Sequence, residues 1–508
     1  MRVHIKRLCL GLMYIWGIAL FMYIAKFNNH NKFKTYFGKH LTDIEKTANS
    51  HADKLLTSDR TNDYVVQTPK GRHGTTSKID DITRSKYLAS PKFRQIQKAK
   101  QNEKFEAKNK GGLCNLTIFH ADLETRANTW QQVDMKKSMY VFSAYYTQSK
   151  VYIIGVKPRK SVRVICQLWS WDVNGYLTVT QETMATETAM PDGYNQTFAS
   201  TIYKCSINHP DIPAYVSMVI ESCDSPLNLI RVHDVATVQY NAQFTVCLSP
   251  LNFRYGRAYE LVEWIELNKI LGADKFVIYN YSSAVNVAQV LDYYTKRNTT
   301  EVIQWQLPMG VDTFPKTNQI VEIHYFGQTA ALNDCLFRNK KLSEYVVNLD
   351  VDEFIIPHSK HTNNWNDIIN QQGKFSVYLF KNTFFRKDWG KLDIPFDSKK
   401  LADEFRLVTL QVFHHEAKIF PGKLRSKYIA KTADIDYMLV HEVPRSRWVT
   451  VPANISLLHH YRNWENPKDK LQRVTDTTVM EKFRTLLTKN VQKVWKDLSH
   501  VKMDIPIT

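Results

Sequence analysis

No C-x-x-C pair, no G-x-G-x-x-G turn and no P-loop occurs anywhere in this chain. The first absence means that a zinc site is not expected. The other two exclude the usual dinucleotide-binding fold and the P-loop nucleotidases. A compact nucleic-acid-binding motif is also lacking, so no nucleic-acid partner is assigned to the positive charge. Acids are in the minority, with 49 Asp and Glu against 68 Lys and Arg, for a formal charge of +19. Much of the excess is local: residues 28–112 hold 18 Lys/Arg against 9 Asp/Glu. That segment reads as a basic linker, and attraction to anionic nucleotide-sugars or a membrane surface accounts for the remainder.

Against these absences stand 508 residues, 44% of them hydrophobic, with 26 Tyr and 25 Phe. Such a chain holds two to three domains and a sizeable core. Leu8–Ile24 is a nearly unbroken apolar run of 17 residues, ~25 Å of helix. Arg2, Lys6 and Arg7 precede it, and Lys26, Phe27 and Asn28 follow in place of a small-x-small cleavage site. The reading is a signal anchor with a lumenal body. Residues 1–27 are then tail and transmembrane helix, and residues 28–112 a flexible stem with one helix near Pro91–Ala107. Sequons at Asn115, Asn195, Asn280, Asn298 and Asn454 agree with a lumenal body. Six cysteines lie beyond the anchor, enough for three disulfides in 15 pairings that sequence does not separate. For Cys335, inside its helix, a buried free thiol is the competing reading.

Residues 113–242 alternate in short apolar runs broken by turns such as Asn174-Gly175, which predicts an antiparallel β-rich domain. From Phe244 the rhythm becomes strand–helix. Strands are expected over 244–249, 275–280, 302–307 and 345–349. Helices are expected over 260–271, with Gly272 at the C′ position, and over 287–296 and 327–340. This α/β alternation favours a mainly parallel sheet over residues 243–465. Residues 466–508 close the chain with an amphipathic helix carrying Val479, Phe483, Leu486, Leu487, Val491 and Val494.

The last of those strands runs straight into Asp350-Val-Asp-Glu353. Residues two apart in an extended chain share a face, so Asp350 and Asp352 project together. Paired carboxylates at the edge of a core call for a cation, and a hard one, Mn²⁺ or Mg²⁺, suits oxygen ligands. Glu353 reads either as a residue orienting those ligands or as a surface acid. Strand ends of open α/β sheets are also where ligands collect.

The ordered motifs Cys247-Leu-Ser-Pro-Leu, Trp264-Ile-Glu-Leu-Asn-Lys, Gly272-Ala-Asp-Lys-Phe-Val-Ile-Tyr-Asn, Gln328-Thr-Ala-Ala-Leu-Asn-Asp-Cys-Leu-Phe-Arg338, Leu349-Asp-Val-Asp-Glu-Phe-Ile-Ile-Pro357 and His459-His-Tyr-Arg462 resemble glycosyltransferase family 92. The resemblance covers roughly Phe244 to Trp464. It implies a type-A glycosyltransferase fold, type II anchoring in the Golgi, and inverting transfer of galactose from UDP-galactose. The acceptor it implies is a glycan on a glycoprotein, with fucose on an N-glycan core as the family's example. Asp350 and Asp352 are then the metal ligands. His460, immediately before Tyr461, resembles the metal histidine of related retaining transferases, and His441 competes with it. Arg338 and Arg462 would meet phosphate oxygens, Asp334 a sugar hydroxyl, and Asn280 the base, while Gln328 opens the helix leading to the site. For Asp334 and Arg338 the competing reading is an i,i+4 ion pair. For Asn280 it is a strand-end cap. Asp388, beside a Trp389 able to stack on a sugar, and Glu416 are candidates for the general base that inversion requires. The alternative to an enzyme is a catalytically inactive, membrane-anchored carbohydrate-binding or scaffold glycoprotein. A metal-dependent phosphohydrolase would need more ligands near the aspartates.

Overall fold

The computed structural model describes residues 114–118 and 128–506, except 137, 161, 193 and 464–470. The expected anchor and stem lie outside these residues. Among the described residues no helix is long and apolar enough to cross a membrane. The fold is mixed α/β.

Residues from Thr117 to Asp234 form one ten-stranded, mostly antiparallel sheet. Its strand Lys150–Pro158 is buried along nearly its whole length, because both of its faces are covered. Val151 and Ile153 pack among β residues such as Cys166, Cys205 and Met218. Tyr152, Ile154 and Val156, pointing the other way, join a cluster with Ala330, Leu336 and Phe337 from the α/β part. The expected boundary near residue 242 is therefore crossed by a shared core.

The second sheet has seven strands. Four pair in parallel, in the order Thr300–Gln304, Lys275–Asn280, Ala242–Leu251, Ser343–Leu349. Lys427–Lys431 then adds antiparallel to Ser343–Leu349. The helices between the parallel strands are Ala258–Leu271, Val285–Lys296 and Gln328–Asn339. Gly272 ends the first of them at φ 121°, a conformation that costs a residue with a Cβ dearly. A five-stranded sheet completes the molecule, in the order Glu353–Pro357, Ser456–Arg462, Asn382–Arg386, His414–Glu416, Arg473–Thr475. The closing helix Thr478–Asp497 lays Val479, Phe483, Leu487, Val491 and Val494 into the same core as Trp264 and Leu267.

Three disulfides form: Cys114–Cys223 and Cys166–Cys205 in the β-rich part, and Cys247–Cys335 in the α/β part. Cys335 is thus paired, not a free thiol.

Asp334 departs from its expected role. It is fully buried and accepts hydrogen bonds from the hydroxyls of Ser143, Tyr145 (2.6 Å) and Tyr279 (2.6 Å). Arg338 completes the set, with Nη2 3.1 Å from Asp334 Oδ2. Burial pushes the Asp334 carboxyl up, but Arg338 and the hydroxyls outweigh it and leave it below the usual range. The i,i+4 pair is real, and it tethers the β-rich strand Tyr140–Thr147 to the parallel sheet; no sugar can reach it. Removing one partner of a buried pair strands the other charge. Asp334→Asn is therefore expected to cost about 3–5 kcal/mol of stability, whereas Tyr279→Phe should cost only about 1–2 kcal/mol. Denaturant midpoints check both, and an Asn variant as stable as wild type would refute the tether.

Candidate active site

The aspartates fall at a junction between sheets. Ser343–Leu349 ends at Leu349, the turn Asp350-Val351-Asp352 follows, and Glu353–Pro357 already belongs to the five-stranded sheet. Register then decides who meets them. Leu248 pairs with Leu349, which sets Ser249 beside Asp350. Tyr428 pairs with Asn348 on the other side, which brings Lys427 to the same end. Glu353 pairs with His460 in the five-stranded sheet, so their side chains share a face.

These neighbours occupy Asp350 on both oxygens. Oδ1 accepts from the Ser249 hydroxyl, and Gln328 Nε2 lies 2.6 Å from that hydroxyl and 3.4 Å from Oδ1. Oδ2 accepts from Lys427 Nζ at 2.8 Å. Lys427 is buried and also stands 3.4 Å from Glu353 Oε2, which accepts the Asp350 N–H at 3.0 Å. Burial pushes the Lys427 ammonium down, yet Asp350 and Glu353 win and hold it above its usual range. For Glu353 burial dominates, against the pull of Lys427, and pushes it up to about 7. It is no surface acid.

Asp352 is differently placed. It is partly exposed, and its Oδ2 lies 3.3 Å from His460 Nε2. The other ring nitrogen, Nδ1, is 3.3 Å from Glu353 Oε1 and 3.3 Å from Asn382 Nδ2. Burial lowers the imidazole, but Asp352 and Glu353 outweigh it and raise it overall. Asp352 itself is pushed up by burial and brought below the usual range by His460. Asp352 and His460 thus present one carboxylate and one imidazole to the same space, a donor set that fits a divalent cation. Asp350, hydrogen-bonded to Ser249 and Lys427 on its two oxygens, stands beside them.

The remaining expected residues divide. His441 aims Nδ1 at the Ser426 carbonyl, 3.1 Å away, and burial together with Lys427 pushes it down to about 4. It does not join Asp352. Asn280 keeps its side-chain oxygen buried without a hydrogen-bond partner, an acceptor in want of a donor. Arg462 lies two residues beyond His460 on the same strand face, 5.5 Å over the Phe384 ring. Arg338 is held with Asp334, away from the aspartates. Asp388 and Glu416 meet on one fully buried guanidinium: Arg386 Nε and Nη2 reach Asp388 at 2.9 and 2.7 Å, and Nη1 reaches Glu416 at 3.1 Å. Glu416 is buried there, while Asp388 stays at the surface. Trp389 carries Arg386 at 4.9 Å and Arg473 at 4.8 Å. Its ring is engaged by cations in place of the expected sugar.

Three contributors escaped the sequence reading. Lys427 opens a strand, where a lysine reads as solvated. Ser249 belongs to a quoted motif, and its equal standing with Asp350 at two parallel strand ends was the available signal. Tyr325 has φ 38°, Phe326 56° and Gly327 65°, three successive left-handed residues at this mouth. Two of them carry a Cβ, a strain that collects at functional sites. Burial, then Asp350 and Asp352, push the Tyr325 phenol up to about 12.

The family model of glycosyltransferase family 92 matches residues 242–502. A Caenorhabditis elegans protein named beta-1,4-galactosyltransferase galt-1 is 30% identical over 124 residues, 23% of this chain and 26% of that one. The match thus spans about a quarter of that relative's length. Staphylococcus aureus TarS 1-349 in complex with UDP-GlcNAc is similar at 13% identity over 44% of this chain and 60% of that one, with a TM-score of 0.24. Glucosyl-3-phosphoglycerate synthase from Mycobacterium tuberculosis, with Mn²⁺, UDP and glucosyl-3-phosphoglycerate, is similar at 11% identity over 52% and 81% of the two chains, with a TM-score of 0.23. Likenesses at such scores are partial.

Lys427→Met leaves Asp350 and Glu353 facing one another without their cation and should cost about 3–5 kcal/mol. Adding Glu353→Gln removes one of the stranded charges, so the double variant should be more stable than the sum of the two single losses. Strictly additive losses in a denaturation cycle would show that Lys427 and Glu353 are not coupled.

Proposed function

The chain belongs to glycosyltransferase family 92, and we propose that it is an inverting, metal-dependent transferase of type-A fold. It moves galactose from UDP-galactose to a glycan acceptor, with fucose on an N-glycan core as the candidate. The observation that carries this reading is the Asp352–His460 pair at the junction of the parallel and five-stranded sheets, 3.3 Å apart and beside Asp350 and Glu353. Asp352 and His460 would hold Mn²⁺ or Mg²⁺. When bound, such a cation supplies Lewis acidity that neutralises charge on the departing diphosphate.

The chain's own residues do the rest. Arg462 stands on the His460 face to meet phosphate oxygens. The unpartnered Asn280 oxygen suits an N–H of the base, since a buried acceptor without a donor costs about 1–3 kcal/mol. Inversion needs a base that takes the acceptor hydroxyl proton. Asp388 is the exposed carboxylate of the two candidates, and Arg386 orients it bidentately.

A lumenal body anchored in the Golgi membrane by Leu8–Ile24 agrees with three disulfides, which belong to oxidising compartments. Asn115, Asn195, Asn298 and Asn454 are exposed and suit glycosylation, while Asn280 is partly buried.

A glycan array with UDP-galactose and Mn²⁺ tests the reading. Wild type should label one acceptor class, chelation should abolish labelling, and Asp352→Asn should lower transfer by about 100-fold or more, equivalent to ~3 kcal/mol of barrier. Equal transfer by both proteins would remove the metal assignment. Retention of glycans without transfer or donor hydrolysis would favour the carbohydrate-binding alternative.

A further inference from the structure

The strand Ser456–Arg462 carries two adjacent histidines, and a strand turns neighbours to opposite faces. His460 faces Asp352. His459 points the other way, with Tyr461 and with Phe385, whose ring stacks on it at 4.2 Å. On that far face three ligand-type atoms converge. His459 Nε2 lies 2.7 Å from His358 Nε2, and Asp476 Oδ2 lies 3.5 Å from each. We infer that His358, His459 and Asp476 form a second metal site, structural in character, that takes Zn²⁺.

Shape argues first. Ligands at 2.0–2.1 Å around a tetrahedral zinc stand about 3.3 Å apart. In the observed triangle the two 3.5 Å edges are within about 0.2 Å of that, and the 2.7 Å edge between the imidazoles must open by about 0.6 Å. Burial argues next. The side chains of His459 and Asp476 are only 1% and 7% exposed, and that of His358 16%. Asp476 Oδ2 stands 3.5 Å from both rings as their shared ion-pair partner, and a cation at the centre would take that carboxylate oxygen and both imidazoles together.

The surroundings orient the ligands as supporting groups around a metal do. His459 Nδ1 lies 3.4 Å from the Tyr461 hydroxyl, which leaves Nε2 to face inward. Asp476 Oδ1 accepts the Thr478 N–H, at the first residue of the closing helix, at 2.8 Å and leaves Oδ2 for the metal. Zinc is preferred over a harder ion because two of three ligands are imidazoles. The ligands come from three segments more than ten residues apart, one following the strand Glu353–Pro357, one within Ser456–Arg462 and one preceding the helix Thr478–Asp497. The ion would clamp them together, and no local cysteine or histidine spacing announces it.

Elemental analysis of the folded lumenal chain after exposure to equimolar zinc and desalting tests this. One zinc per chain is expected in wild type and in Asp352→Asn, since the latter alters only the cleft. His358→Asn should lose it, with affinity falling by more than the ~10–100-fold that a supporting residue costs. Asp476→Asn keeps an oxygen for the Thr478 N–H and should weaken zinc while remaining folded by circular dichroism. Zinc should raise the melting temperature of wild type and of Asp352→Asn but not of His358→Asn. A folded wild type that binds no zinc would overturn the site. So would zinc that survives both His358→Asn and Asp476→Asn, or that leaves with Asp352→Asn alone.

Discussion

Lys427 keeps its charge inside the protein, and it can do so only because two carboxylates reach it from two different sheets. Asp350 follows the last residue of the parallel strand Ser343–Leu349 and Glu353 opens the five-stranded sheet, with Val351 and Asp352 between them. The buried ammonium ties both ends of that turn. A turn so pinned holds Asp352, partly exposed, beside His460. Like charges this close would otherwise drive the junction apart, since uncompensated carboxylates in a low-dielectric setting are costly. The catalytic reading therefore rests on a residue that touches no substrate.

The same economy governs the strand Ser456–Arg462. Its two faces serve separate purposes: His460 joins Asp352 and Glu353, while His459 is buried with His358 and Asp476. Because side chains alternate strictly along a strand, a slip of one residue would exchange the two histidines and dismantle both clusters. Partners on either side, Glu353–Pro357 and Asn382–Arg386, hold that register.

The β-rich part is bound into this arrangement more tightly than a separate module would be. Its Ser143 and Tyr145 satisfy Asp334 on the helix Gln328–Asn339, whose first residue, Gln328, reaches Ser249 and Asp350. One helix thus joins the β-rich sheet at its middle and the cleft at its start. Cys335, on the same helix, is fastened to Cys247 in the first parallel strand. The left-handed run Tyr325–Gly327 delivers the chain into that helix and leaves Tyr325 half exposed at the mouth.

What the sequence determined by itself is local and periodic. The strand Lys275–Asn280, the helix Ala258–Leu271 with its Gly272 stop, and the closing helix follow from patterning that neighbouring residues carry. The adjacency of Asp350, Asp352 and Glu353 is likewise written in four consecutive residues. Tertiary structure decided everything that depends on register between distant strands. It gave Asp334 and Arg338 to the core instead of the cleft, because an i,i+4 pair on a helix says nothing about which face is covered. It turned Glu416 and Trp389 toward guanidinium groups, and it brought Lys427 to Asp350 across 77 residues. Charges far apart in sequence meet only when the sheets close, so the electrostatics of the site could not be read from the chain alone.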